Sequence, residues 1–295
     1  MRPILVALPG NEVLAASLAP KLGAETGGAE LRHFPDGETY VRLDGDMAGR
    51  PVVLVSTLER PDSKFLPLAF TAATARELGA SRVGLIAPYL AYMRQDRRFH
   101  PGEAVTSRIF ANALSGIVDW LVTVDPHLHR ISALSQIYGI PAKSVHASPL
   151  VARWIKDAVA SPVLIGPDEE SAQWVSAVAD EAGAPFVILQ KQRRGDADVE
   201  ISVPDVERWR DHTPVLVDDI ISTGRTMIET LGHLRRAGMK PVVCVGVHAV
   251  FAAGAFDALR AAGPARIVTT NTIAHETNAI DVSSALGEAA AGFIP

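Results

Sequence analysis

Residues 215–226 read Val215-Leu216-Val217-Asp218-Asp219-Ile220-Ile221-Ser222-Thr223-Gly224-Arg225-Thr226. An apolar run ends in two adjacent carboxylates, and a hydroxyl- and glycine-rich loop follows. Apolar Met227, Ile228, Leu231 and Leu234 then recur at helical spacing over residues 226–237. The pattern is strand, loop, helix, with the loop at a helix N-terminus. Unpaired amides and the positive end of the helix dipole attract phosphate there. Ser222, Thr223 and Thr226 add hydroxyl donors, and Gly224 permits close backbone approach. Asp218 and Asp219 would repel phosphate, so they face other chemistry, either vicinal sugar hydroxyls or a hydrated Mg²⁺. The ligand that fits all of these is a sugar phosphate.

The rest of the chain sets bounds on that reading. At 295 residues, 48% of them hydrophobic, it is long enough for two cores. A net charge of −5 with no basic block excludes a nucleic-acid partner. Cys244, the single cysteine, lies in an apolar run and cannot form a disulfide within the chain, which fits a reducing cytoplasm. Residues 1–8 are too short for a signal peptide, and no apolar run reaches the roughly 20 residues of a membrane span. A soluble cytoplasmic protein is expected.

Working outward, short apolar runs at 4–8, 52–56, 83–87 and 121–124 alternate with helical segments, among them 12–22 and 64–78, the latter stopped by Gly79. The rhythm restarts near Ala142, with strands expected at 163–165, 186–189, 215–217, 242–247 and 267–269 and a final helix at 282–291. Alternation of this kind predicts an α/β fold of two similar, doubly wound, mostly parallel-sheet domains. The boundary falls near residues 143–149, giving domains 1–145 and 146–281, and an ancient duplication is possible. Residues 31–43 break the rhythm, because their alternation around Pro35-Asp36-Gly37 predicts an antiparallel flap. The polar segments 94–106 and 190–198 read as loops that are not rigid.

Four further stretches narrow the function. They are Phe34-Pro35-Asp36-Gly37-Glu38, Tyr92-Met93-Arg94-Gln95-Asp96-Arg97, Val124-Asp125-Pro126-His127 and Lys191-Gln192-Arg193. With the 215–226 motif, and in this order, they resemble ribose-phosphate diphosphokinase, the phosphoribosyl diphosphate (PRPP) synthetase family of type I phosphoribosyltransferase-like fold, nearest its shorter archaeal-like members. The resemblance covers nearly the whole chain. It implies transfer of the β,γ-diphosphoryl group of ATP to the C1 hydroxyl of ribose 5-phosphate, with Mg²⁺ as cofactor. It also implies that the first domain binds ATP through Phe34, Asp36, Gly37, Glu38, Arg94, Gln95 and Asp96. The second would bind ribose 5-phosphate through Asp218, Asp219, Ser222, Thr223, Gly224, Arg225 and Thr226. His127 and Asp168 become metal ligands, Lys191 and Arg193 catalytic cations, and residues 282–295 pack back on the first domain. Exposed sheet edges and the flap make a homo-oligomer, dimer or higher, the expectation.

Taken singly, several of these residues have plainer readings. Phe34 reads first as a core aromatic, His127 as a satisfied loop histidine and residues 191–194 as a solvated basic patch. No Walker-type phosphate loop is present. The chain also departs from the family it resembles. Glu169-Glu170-Ser171 follows Asp168 where a glycine pair is usual, Ser222 stands in place of aspartate and Arg225 in place of glycine. Two other functions compete, a PRPP-consuming phosphoribosyltransferase and a non-catalytic regulatory paralogue of a synthetase.

Overall fold

In a computed structural model the described residues are 1–128, 130–167, 171–194, 198–202 and 206–294, without the side chains of 190–194, 198–202 and 206–207. Asp168 lies outside them. Two compact units emerge. One comprises Met1–Val145, Thr272–Ala274 and Val282–Pro295, the other His146–Asn271 and His275–Asp281.

The first unit is built on a seven-stranded sheet. Its strands are β1 (Ile4–Ala7), β2 (Glu25–His33), β3 (Thr39–Asp44), β4 (Pro51–Val55), β5 (Arg82–Ala87), β6 (Trp120–Val124) and β7 (Ala142–Val145). Helices α1 (Glu12–Leu18), α2 (Asp62–Glu77) and α3 (Thr106–Ser115) connect them. The spatial order is β3-β2-β1-β4-β5-β6-β7. Every pairing is parallel except β2–β3. β4 is buried along its whole length, as expected of a parallel strand covered on both faces.

The expected flap is this β2–β3 hairpin, but its first strand begins at Glu25, not Leu31. The early half of β2 is polar and glycine-containing, and it becomes a strand by pairing with β1, Ile4 opposite Glu25. β7 was likewise hidden, because Ala142-Lys143-Ser144-Val145 carries little apolar signal until β6 pairs with it. The helix expected over 12–22 stops at Leu18, where Pro20 has no amide hydrogen to extend the ladder.

The second unit carries a six-stranded parallel sheet of order β15-β14-β13-β12-β8-β9. These strands are β8 (Pro162–Gly166), β9 (Phe186–Ile188), β12 (Thr213–Ile220), β13 (Val243–His248), β14 (Arg266–Thr270) and β15 (Asn278–Ile280). Helices α4 (Ser148–Ala158), α5 (Ala172–Ala182), α6 (Arg225–Arg236) and α7 (Ala255–Ala261) accompany them. Of residues 190–198, expected as a loop, 190–194 and 198 lie in a separate antiparallel pair, β10 (Gln190–Arg194) with β11 (Asp198–Ser202). β12 runs three residues beyond the expected end at Val217. Pairing with β13, Asp218 opposite Gly246 and Ile220 opposite His248, carries the strand through both carboxylates.

The last helix, α8 (Ser283–Ala291), contacts α1, β6 and β7 of the first unit. Its Leu286, Ala289 and Ala290 are buried. Past its end Phe293 stacks on Trp120 at 5.2 Å, and its carbonyl accepts a bond from the Arg82 guanidinium at 3.1 Å. Lys21 of the turn after α1 donates to the Ser284 hydroxyl at 2.9 Å.

Candidate functional site

In the second unit the site begins with β12. Val215, Leu216 and Val217 are fully buried between β8 and β13, which fixes the position of whatever follows. Asp218 and Asp219 emerge half-buried at the carboxyl edge, and the Asp219 amide donates to the Asp218 carboxylate at 3.0 Å. The loop is then pinned at three points. The Ile221 amide donates to the His248 carbonyl at 3.0 Å, the Phe251 amide to the Ile221 carbonyl at 2.9 Å and the Ala252 amide to the Ser222 carbonyl at 3.0 Å. The Ile221 side chain is buried against Gly246, where a Cβ would come within 2.6 Å of it. Glycine at 246 is therefore a packing requirement of the loop anchor.

Gly224 precedes α6 with φ 68° and ψ 0°, a left-handed conformation that other residues adopt at a cost. No side chain caps α6. The Arg225 amide donates to the Thr223 hydroxyl at 3.5 Å, and the amides that follow it, with no carbonyl a turn behind them, are available to an anion. Ser222 and Thr226 are half-buried beside them, and Thr223 and Arg225 are exposed. The structure thus brings all seven residues of this motif to one strand-to-helix turn.

The first unit holds the groups predicted for ATP, and His127, at its carboxyl edge. At the hairpin tip the Phe34 amide donates to the Glu38 carbonyl at 2.8 Å, the Gly37 amide to the Phe34 carbonyl at 2.9 Å and the Glu38 amide to the Asp36 carboxylate at 3.2 Å. Phe34 is 41% exposed and so is not a core aromatic. It meets Tyr40 edge-on at 6.0 Å, and the Arg32 guanidinium lies 4.0 Å from the Tyr40 ring centre. Asp36 and Glu38 are exposed.

Beyond β5, buried Met93 anchors a turn that leaves Arg94 in solvent. The Gln95 side-chain oxygen accepts from the Thr106 hydroxyl at 3.0 Å. Asp96, its side chain only 5% exposed, pairs with Arg130 at 3.1 Å. His127 follows β6, half-buried, two residues after Asp125, whose φ is 30° and whose amide donates to the Val145 carbonyl at 2.9 Å. The Asp96–Arg130 pair joins the loops after β5 and β6, a link that nothing in the sequence signals.

Phe34 and Arg94 lie on segments that leave different strands, β2 and β5. β2 and β5 are separated by β1 and β4, three strand spacings or about 14 Å. Lys191 and Arg193 occupy alternate positions of β10, opposite Ile201 and Val199, and their side chains lie outside the described residues. Among the described residues no three histidine, cysteine, aspartate or glutamate side chains form a metal-binding group, and no helix is long and apolar enough to cross a membrane. Cys244 on β13 is buried, and burial pushes its thiol up to about 12.

Paired carboxylates at a strand end, followed by an anion-accepting turn on a doubly wound sheet, define a protein with a type I phosphoribosyltransferase fold. Residues 141–284 match the phosphoribosyl transferase domain, and residues 4–117 match the N-terminal domain of ribose phosphate pyrophosphokinase. The chain belongs to the ribose-phosphate pyrophosphokinase family. The Methanopyrus kandleri ribose-phosphate pyrophosphokinase is 35% identical over 288 residues, spanning 97% of this chain and 98% of that one. The Saccharolobus solfataricus ribose-phosphate pyrophosphokinase is 36% identical over 83% of this chain and 84% of its own. The crystal structure of phosphoribosylpyrophosphate synthetase from Mycobacterium smegmatis shares the fold, with a TM-score of 0.85 at 23% identity, covering 98% of this chain and 97% of that one.

Proposed function

We propose that this chain transfers the β,γ-diphosphoryl group of ATP to the C1 hydroxyl of ribose 5-phosphate, giving 5-phosphoribosyl 1-diphosphate and AMP. The observation that carries the reading is the 218–226 turn, where two carboxylates and an uncapped helix N-terminus stand side by side. The α6 amides with Ser222, Thr223 and Thr226 hold the 5-phosphate, and Asp218 and Asp219 accept bonds from the ribose hydroxyls. Arg225, exposed at the first position of α6, adds a cation at the rim.

The first unit holds ATP. Arg94 offers a planar face to adenine at the β5 edge, with Gln95 hydrogen-bonding beside it. Asp96, committed to Arg130, keeps that loop in place. Phe34 presents a second aromatic surface at the hairpin tip, where Asp36 and Glu38 accept nucleotide donors and Gly37 shapes the turn. The strands that lead into Phe34 and Arg94 are separated by two others, and β3 and β7 are the edge strands of the sheet. Both features favour a homo-oligomer.

In the reaction the C1 oxygen attacks the β-phosphorus, the bond from that phosphorus to the α,β-bridging oxygen breaks, AMP departs and the hydroxyl proton is released. Lys191 and Arg193 supply positive charge to the bridging and equatorial oxygens as charge develops on them. His127 and Asp168 are the proposed Mg²⁺ ligands, and the bound ion neutralises phosphate charge. Mg²⁺ prefers oxygen and keeps several waters, so Asp168 would supply the direct carboxylate and His127 a contact through water, with substrate phosphates completing the shell. The single buried Cys244 accords with a cytoplasmic setting.

Phosphorus NMR of the protein with Mg²⁺, ATP and ribose 5-phosphate, repeated with Lys191→Ala, tests this. AMP and a C1-diphosphorylated ribose are expected, and the substitution abolishes both. ADP in their place would mark an ordinary sugar kinase. No turnover at all would favour the regulatory paralogue.

A further inference from the structure

The two sheets share one topology. β2-β1-β4-β5-β6-β7 in the first corresponds to β9-β8-β12-β13-β14-β15 in the second. The order reverses between β1 and β4 in one, and between β8 and β12 in the other. Ligands of open α/β sheets bind outside the carboxyl ends of the strands at such a switch point. In the second unit the 218–226 turn follows β12. Its counterpart in the first is the turn of residues 56–61 after β4.

The two turns are pinned alike. The Leu58 amide donates to the Tyr89 carbonyl at 2.9 Å beyond the end of β5, as the Ile221 amide does to His248 at the end of β13. Leu58 and Ile221 are both buried. Each turn passes through the left-handed region just before its helix, at Arg60 with φ 52° and at Gly224 with φ 68°.

A cavity of about 330 Å³ opens at this first switch point. It is lined by residues following β1 and β4, the start of α2 and the hairpin strands just before and after the 34–38 turn, and by none of the residues assigned above to either substrate. Its polar lining residues are Arg32, His33, Lys64, Thr39, Ser56 and Ser63, and no carboxylate lines it. The Arg32 guanidinium is turned to Tyr40 and Glu30, and the Ser63 hydroxyl donates to the Arg60 carbonyl at 3.2 Å, which leaves Lys64, Thr39 and Ser56 as the donors. Leucines and prolines make up the remainder. Lys64 donates to the Thr57 carbonyl at 3.0 Å and pairs with Glu59 at 2.5 Å, which leaves its third N–H for a ligand. Hydroxyl and cationic donors around an apolar wall suit an anionic group on a compact organic body. The volume is at the small end of ligand pockets, roughly 300–1,000 Å³.

We propose that this cavity is a second ligand site that binds a compact phosphate monoester, a sugar phosphate or a nucleoside monophosphate. Lys64 faces the phosphate, and the Thr39 and Ser56 hydroxyls hydrogen-bond the ester. Equilibrium dialysis of the full chain against radiolabelled ribose 5-phosphate, AMP and inorganic phosphate, in separate arms, tests it. Two variants serve as controls, Thr39→Trp, which fills the cavity, and Glu59→Gln/Lys64→Gln, which removes both charges as a pair. The wild type is expected to bind one more equivalent of ribose 5-phosphate or AMP per chain than either variant, or to bind that equivalent at least tenfold more tightly. Equal binding of both esters by wild type and variants overturns the proposal. So does inorganic phosphate binding there as tightly as the esters, since the pocket would then be a bare anion site. Because the readout is the difference between wild type and variants, failure of the proposed reaction would leave this result unchanged.

Discussion

Replacing Gly224 by alanine separates the role of backbone conformation from the role of side chains in the 218–226 turn. The residue sits at φ 68°, ψ 0°, where an L-residue costs about 1–2 kcal/mol. Sterics add nothing to this, because the nearest atoms to a new Cβ, the Ala255 carbonyl oxygen and the Leu259 Cβ, lie at 3.8 Å. The strain has two outlets. If the turn keeps its shape, the folded state carries the cost, less the roughly 0.4–1 kcal/mol that alanine returns by restricting the unfolded chain. Stability in urea then falls by up to about 1.6 kcal/mol, and ribose 5-phosphate binds as before. If the turn relaxes, stability barely changes and binding must restore the strained form, which weakens affinity by about 5–30-fold. Gly224→Asn should lose much less by either route, since asparagine tolerates the left-handed region. Calorimetric titration with ribose 5-phosphate beside urea unfolding distinguishes these outcomes. An alanine variant unchanged in both measurements, or an asparagine variant as impaired as alanine, would refute the claim that conformation at this residue builds the phosphate site.

Three other perturbations follow from the geometry. Phe34→Ala should weaken ATP binding by about tenfold, from a stacking contribution of about 1–3 kcal/mol. It should leave urea stability within about 0.5 kcal/mol, because the ring is exposed. Cys244, its thiol pushed up to about 12 by burial, should resist Ellman's reagent at about pH 8 in the native protein and react fully once unfolded. His275 packs between Phe251 and Phe256 at 4.7 Å from each, and its Nδ1 accepts the Thr277 amide at 3.3 Å. Burial lowers its pKa below the ordinary value, partly opposed by Glu276. The unfolded chain therefore binds the proton more readily, and the stability this residue contributes is lost as pH falls through about 6.5. His275→Phe should flatten the dependence of the urea midpoint between about pH 7.5 and about pH 5.5.

Legibility in the sequence followed how local the causes were. The β12–α6 turn could be read directly, since an apolar run, a glycine and a helical period are each written within a few residues. The hairpin tip was visible for the same reason, Pro35-Asp36-Gly37 being turn chemistry with no long-range requirement. The first half of β2, β7 and β15 become strands through the neighbours they pair with, and polar or three-residue segments carry no such signal alone. The pairing of Asp96 with Arg130 spans 34 residues and two loops, so no spacing announces it. Phe34 shows the intermediate case. Its residue type favours a core, its flanking turn favours the surface, and only the fold decides between them.

The two switch points also explain how one architecture supports two different halves of a reaction. In the second unit the apolar run of β12 is followed by Asp218-Asp219, and these carboxylates stay partly open at the strand end. In the first, β4 is followed by Ser56-Thr57. The Thr57 hydroxyl donates to the Thr272 carbonyl at 2.7 Å and accepts the Tyr89 amide at 3.3 Å, so it is committed to holding the Thr272–Ala274 segment in the first unit. Nearby, Glu59 and Lys64 neutralise one another. A turn with a clamp in place of paired carboxylates offers no acceptor pair of the kind proposed for ribose, while its cavity has hydroxyl and cationic donors. That is why the proposed nucleotide contacts lie elsewhere on the same edge, at the hairpin tip and after β5. It is also why the residual pocket suits a phosphate monoester held by its phosphate, with no carboxylate pair to grip a sugar.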